Sequence, residues 1–266
     1  MHGELSAQIQ VVTDSLVIDE KELTERAIAV VARIVDGDPF LIDCVSSEIK
    51  GSVNDILKSN CATAGISDYP RPQSPIDQTK ELPAFLTSAA SRICHDLSLG
   101  GHLERVGMVA FNVASAMGLG EDKSHLVRLG GRLHDIGKLD TEMHHLVGLN
   151  GVLPPEQKAR IKLHPLIGAR VAEYFRFPKD VTKLILNHHF RCDGMGYPAQ
   201  NGEAMSLEIG ALSVADAIDA MVNARPGREV KTLEQAVKEI ENGSGKHFHP
   251  EAVEALSRVA IRFVYG

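Results

Sequence analysis

Cysteine is scarce in this 266-residue chain, and its four copies never fall into a C-x-x-C spacing. Cys44, Cys61, Cys94 and Cys192 lie far apart, which excludes a disulfide framework or a cysteine zinc site. They read as reduced, mostly buried thiols of a cytoplasmic protein. Excess positive charge is also missing. With 28 Lys and Arg against 35 Asp and Glu the net charge is -7, so no global field draws the protein to a nucleic-acid backbone, and DNA is not an expected partner. An anionic ligand must then be held by a local cluster of cations or by metal. Long apolar runs are absent: the longest uncharged stretch, Val106 to Gly120, falls short of the roughly 18 residues of a membrane span. The opening MHGELSAQIQ has no basic segment followed by an apolar core, so it does not read as a signal peptide. There is no internal repeat and no low-complexity block.

What the chain has in excess is histidine. Of 12 His, nine fall between His95 and His189, with no poly-His tract to explain them. Around them the pattern is helical. Four prolines in the stretch 67–83 make continuous helix impossible there, and suggest a small N-terminal domain (1–70), a linker (71–84) and a main domain (85–266). In the N-terminal part, Leu23, Ala27, Ile28, Val31 and Val35 are spaced for a helix over 20–35. A second amphipathic helix is expected between Phe40 and Leu57, and a short strand within 11–18. Few aromatics make this core marginal, so the segment is expected to lean on the remainder or on another subunit, which leaves a homo-oligomer open. Further helices are expected at 85–97, 102–117, 123–135, 155–164, 166–175, 179–187, 205–224, 232–242 and 250–263. The expected fold is all-α, a helical bundle with a small, mostly helical N-terminal domain.

Several histidines sit beside carboxylates. His134-Asp135 closes an apolar helix and is followed by Ile-Gly-Lys138, which puts an imidazole, a carboxylate and a cation close together. His188-His189 ends another helix, before a loop with Asp193-Gly194 and Gly196-Tyr197-Pro198. His164 precedes Pro165, and His102 opens a helix after Gly100-Gly101. Asp216 lies on an apolar helix face, where a carboxylate is costly unless paired or metal-bound. Together these form a set of nitrogen and carboxylate donors suited to iron, manganese, zinc or nickel rather than calcium. Seven donors exceed what one open catalytic ion takes. Two ions sharing Asp135 would each hold about four, the arrangement of two-metal phosphoester cleavage.

The ordered motifs His102-x-x-Arg105-Val106, His134-Asp135-x-Gly137-Lys138, His164-Pro165, His188-His189 with Asp193-Gly194-x-Gly196-Tyr197-Pro198, and Ala215-Asp216-x-x-Asp219-Ala220 resemble the HD-GYP branch of the HD superfamily of metal-dependent phosphohydrolases. The resemblance runs from about His102 to the C-terminus. It implies a helical HD core, two or three metal ions with iron favoured, and hydrolysis of cyclic di-GMP. It also implies that Asp135 bridges the metals, with His102, His134 and Asp216 on one side and His164, His188 and His189 on the other. Lys138, Tyr197, Arg225 and Arg228 would face the substrate, and the Gly196-Tyr197-Pro198 loop could meet a protein partner.

Four departures from the family pattern bear on this. Phe190 stands where a Glu usually follows the His pair, and Ser98 where three-metal members carry Glu, which favours two ions. A loop Lys is missing near Leu149-Asn150-Gly151, and Gly227 replaces the aromatic of the R-P-Y-R pattern. The last two predict weak cyclic di-GMP turnover. The alternative is a sensor or adaptor that binds a cyclic dinucleotide with little hydrolysis. His95-Asp96, His144-His145, His247 and His249 have no matching partners and are expected to be solvated, to cap or to pack.

Overall fold

The computed structural model describes residues 18–36, 99–140, 145–146, 153–175, 177–200, 202–223 and 230–259. Helix α1 (Glu20–Asp36) starts where the Asp19 carboxylate accepts the Glu22 N–H at 2.7 Å, satisfying one of the free donors of a first turn. Helices α2 (Leu99–Ala116) and α3 (Glu121–Leu133) form a hairpin that turns through Gly118 and Gly120, both at φ +79°. Gly131 of α3 lies so close to Gly107 of α2 that a Cβ there would meet the Gly107 Cα at 2.8 Å. The two backbones therefore touch, and this contact brings the start of α2 beside the end of α3.

A 3-10 turn (Ile136–Leu139) follows α3. Then come α4 (Pro155–Ile161), α5 (His164–Tyr174) and α6 (Lys179–Asn187). After the Gly196-Tyr197-Pro198 loop, α7 (Leu207–Val222) begins at Ser206, whose hydroxyl accepts the Ile209 N–H. Helix α8 (Leu233–Asn242) opens with a reciprocal Thr232–Gln235 capping box, and α9 (Pro250–Arg258) closes the described bundle.

Two apolar clusters hold these helices. One joins Leu23, Val30 and Ile34 of α1 to Leu133, Ile136, Leu163, Ile167 and Ile185. The other joins Val106, Val109 and Val113 of α2 to Leu184, Phe190 and the inner faces of α7, α8 and α9. Helices α2 and α6 contribute to both. Helix α7 is buried on most of its circumference, which explains its run of small and apolar residues and makes its two aspartates conspicuous.

The fold is all-α, as the sequence leads one to expect. Among the described residues no helix is long and apolar enough to cross a membrane. Some ends differ. Helix α3 stops at Leu133 rather than at residue 135, because Asp135 turns out of the helix at φ -99°, ψ 10°. Helix α5 begins at His164, with Pro165 in its first turn where its missing N–H costs nothing. Cys192 is exposed, unlike the buried thiol expected, since it sits on the loop after His189. The helices expected at 40–57 and 85–97, the strand within 11–18, and Cys44, Cys61 and Cys94 lie outside the described residues, apart from Ile18, which is buried.

Candidate metal centre

Three histidines share one local device. The Nδ1 of His134 donates to the Gly131 carbonyl at 2.8 Å, that of His164 to Ile161 at 2.7 Å, and that of His188 to Ile185 at 2.7 Å. Each acceptor is three residues earlier, in the last turn of a helix whose carbonyls lack a following N–H. For Ile161 the cause is explicit. The residue four positions on is Pro165, which has no N–H to offer. His102 is held differently, with its Nδ1 on the Asp219 carboxylate at 2.7 Å. Arg105 also grips Asp219, its Nε on Oδ1 at 2.6 Å. All four rings are thereby fixed through Nδ1, which turns Nε2 inward toward the carboxylates.

Asp135 lies between them. Its Oδ2 is 3.4 Å from His134 Nε2 and 3.7 Å from His102 Nε2, while its Oδ1 is 3.2 Å from His164 Nε2 and 3.9 Å from His188 Nε2. Asp216 Oδ1 completes the first side, 3.4 Å from His102 and 3.6 Å from His134. On the other side His189 joins His164 and His188, with donor atoms within 4.8 Å of one another; the same holds for His102, His134 and Asp216. The Gly137 between Asp135 and the end of the turn permits this closeness. A Cβ there would fall 2.1 Å from the His164 carbonyl oxygen.

These donors fit metal ions. His134 Nε2 and Asp135 Oδ1 are buried with no hydrogen-bond partner, a cost that a bound cation removes. His164 Nε2 and His188 Nε2 face each other at 3.1 Å although both rings already donate through Nδ1, so two lone pairs oppose each other. A cation between them turns that repulsion into coordination. Burial by itself lowers the His134 pKa, yet the Asp135 and Asp216 charges outweigh it and raise it to about 10. Burial likewise opposes ionisation of Asp135, but His134 and Lys138 hold it well below the usual carboxylate range. Burial, then the neighbouring histidines, pushes His188 down; burial and His164 do the same for His189. Both are thereby held neutral.

The structure brings His102, His134, Asp135, His164, His188, His189 and Asp216 to one place. His102, His134, Asp135, His164 and His188 are buried, whereas Asp216 and His189 are partly exposed and mark the open side. Lys138 places Nζ on Asp135 Oδ2 at 2.5 Å. Tyr197 lays its ring on His189, centroids 4.3 Å apart, with Lys162 Nζ 5.4 Å from its ring centre. Burial, then the Asp135 and Asp216 charges, drives the Tyr197 phenol well above its usual pKa. Phe190 is buried in the second apolar cluster. Arg225, Arg228, Gly227, Ser98, residues 149–151, His95, Asp96 and His144 lie outside the described residues. His145 is exposed, His247 stacks on Phe248, and His249 starts α9.

Sequence reasoning missed Asp219 as the partner of His102. Its signal was present, since Asp216 and Asp219 stand three apart on one helix and must share a face.

A family model described as an HD domain matches residues 84–252. A cyclic di-GMP phosphodiesterase from Thermotoga maritima is 38% identical over 168 residues, 62% of this chain and 45% of that protein. The cyclic di-GMP phosphodiesterase response regulator RpfG from Xanthomonas campestris is 36% identical over 159 residues, 59% of this chain and 42% of that protein. The chain thus spans less than half the length of these two relatives. Among solved structures, an HDG"Y"P protein from Bdellovibrio bacteriovorus gives a TM-score of 0.50 at 18% identity, covering 95% of this chain and 76% of that one, a likeness of fold.

Proposed function

The chain belongs to the HD-domain family, in its HD-GYP branch, and from that premise we propose that it is a two-metal phosphodiesterase acting on a cyclic dinucleotide, cyclic di-GMP or a relative. The observation that carries this reading is the pair of facing donor sets that share Asp135 through its two oxygens. His102, His134 and Asp216 would hold one ion, and His164, His188 and His189 the other, iron being the favoured metal and manganese, nickel or zinc alternatives. Bound there, two ions would supply an acidified water and a charge to polarise the phosphoryl oxygens.

The chain's own groups do the rest. The partly exposed His189 and Asp216 leave one side open, and the substrate phosphate enters there. Lys138 neutralises phosphate charge, an interaction strengthened where water is scarce. Tyr197 holds its loop against His189, and Arg225 and Arg228 are the cations this reading assigns to further phosphate oxygens. Met195, 77% exposed at the tip of the same loop, suits a protein partner. The unpaired Cys192 thiol supports a cytoplasmic setting.

Gly227, in place of a stacking aromatic, favours a second reading, a cyclic-dinucleotide sensor with little turnover. Metal analysis of protein purified without oxygen, together with a dinucleotide hydrolysis assay, separates the two. Two ions with hydrolysis establishes the enzyme. Two ions with micromolar binding and no hydrolysis selects the sensor, and no metal after reconstitution refutes both.

A further inference from the structure

Helix α1 lies outside the segment that matches the HD-domain model, yet it touches the most constrained part of the site. Its Arg26 reaches across 114 residues to Asp140, with one guanidinium nitrogen 2.7 Å from Oδ1 and Nε 3.2 Å from Oδ2. The pair is two-pronged and largely buried, the side chains 11% and 7% exposed, and Arg26 also lies 3.6 Å from the exposed Glu22 carboxylate one turn away. Apolar packing already attaches α1 here, through Leu23, Val30 and Ile34 against Leu133 and Ile136. A buried ion pair adds little net stability to such a contact, because desolvating both charges offsets their attraction. What a planar fork on a carboxylate adds is direction, fixing the position of one partner relative to the other.

The partner is well placed to use that. Asp140 ends the short turn that begins at Asp135, and its N–H bonds back to the Gly137 carbonyl at 3.2 Å. Lys138 donates its own N–H to the Asp135 carbonyl at 2.9 Å, so the turn is one stiff unit. Gly137 is pressed against the His164 backbone. These bonds tie Asp140 to the same short backbone segment that carries Asp135 and Lys138.

We infer that Arg26 is a positioning residue for the metal centre: by clamping Asp140 it sets the turn that carries Asp135 and Lys138, and so couples the N-terminal helix to the site. The inference rests on the two-metal reading of the centre. Movement of α1 would then alter metal affinity and not merely fold stability.

The test uses the full chain with manganese(II) alone, titrated by calorimetry, and the visible spectrum of the cobalt(II)-loaded protein. Arg26→Met should weaken manganese binding by about tenfold, the low end of the scale set by direct partners of metal ligands because Arg26 acts one contact further out, and shift the cobalt bands. Arg26→Lys should recover part of the affinity. The double variant Arg26→Met with Asp140→Leu replaces the ion pair by apolar contact. It should regain the wild-type melting temperature while its metal affinity stays low. A folded Arg26→Met with wild-type affinity and spectrum overturns the proposal. So does a double variant in which affinity returns along with stability, and this variant decides the matter if Arg26→Met does not fold. Wild-type protein that takes up neither ion would instead overturn the two-metal reading, and the coupling with it.

Discussion

At the scale of single residues, Asp135 does the most. Its two oxygens serve different neighbours, so its loss cannot be confined to one side of the centre. Asp135→Ala should empty both sites, and elemental analysis should fall from two ions per chain toward none; full retention would refute the shared role. Asp219 acts one step back. Asp219→Ala removes the carboxylate from His102 Nδ1 and from Arg105 while touching no metal position. Manganese affinity should drop about 10- to 100-fold with the helical circular dichroism unchanged. The donors themselves were legible in the sequence, because their types and order carry the chemistry. Arg26 and the Lys138 contact were not, and for Asp219 the helix face could be read while its pairing with His102 could not. His102 and Asp219 are 117 residues apart, and Arg26 and Asp140 are 114 apart, beyond anything that local periodicity reports. Lys138, four residues after His134, would share its face in a continuing helix, but α3 ends first and the side chain turns back to Asp135.

At the scale of elements, helix periods gave most of the bundle and few of its ends. The 3.6-residue pattern shows which face is apolar, and it says nothing about a side chain that takes a backbone carbonyl. His134 does so at Gly131, and α3 stops two residues before the expected boundary. Helix spacing also carries information that propensity hides. Glycine at 107 and 131 weakens each helix on its own, yet the pair lets α2 and α3 meet backbone to backbone. Gly131→Val would place its side chain against backbone atoms that cannot rotate away. It should destabilise the protein by about 1–3 kcal/mol in chemical denaturation and weaken metal binding by parting His102 from His134.

At the scale of the whole molecule, the protonation of the centre sets how the protein responds to pH. The His134 pKa is raised from the usual 6.5 to about 10, so its contribution to ion-free stability is full below 6.5 and is lost as pH rises toward 10. His188 and His189 are shifted down, so below about pH 6.5 the unfolded chain takes up protons that the folded chain refuses, and stability falls on acidification. Ion uptake at neutral pH must displace the His134 proton. Calorimetry in two buffers of different ionisation enthalpy should therefore detect proton release, and affinity should tighten as pH rises from 6 to 8. Equal heats in both buffers would contradict the assignment.

Substrate choice belongs to the same scale, because it depends on residues from distant parts of the chain. A lost base–aromatic stack is worth about 1–3 kcal/mol, and a net charge of -7 offers no long-range help to an anionic ligand. Cyclic di-GMP hydrolysis should be weak beside a relative with the full motif, and Gly227→Tyr should raise affinity by roughly five- to a hundredfold. Wild-type turnover as brisk as that relative's would show that the departure is immaterial.

Three of the imidazoles hang from the final turns of α3, α4 and α6. Final turns are where a folded chain frays first, opening and reclosing far more often than the helix behind them. An ion bound between these rings is therefore a clasp on three fraying ends at once. Loading and fraying would then be two views of one equilibrium, and amide hydrogen exchange at the ends of α3, α4 and α6 should slow together on adding metal and quicken together on its removal.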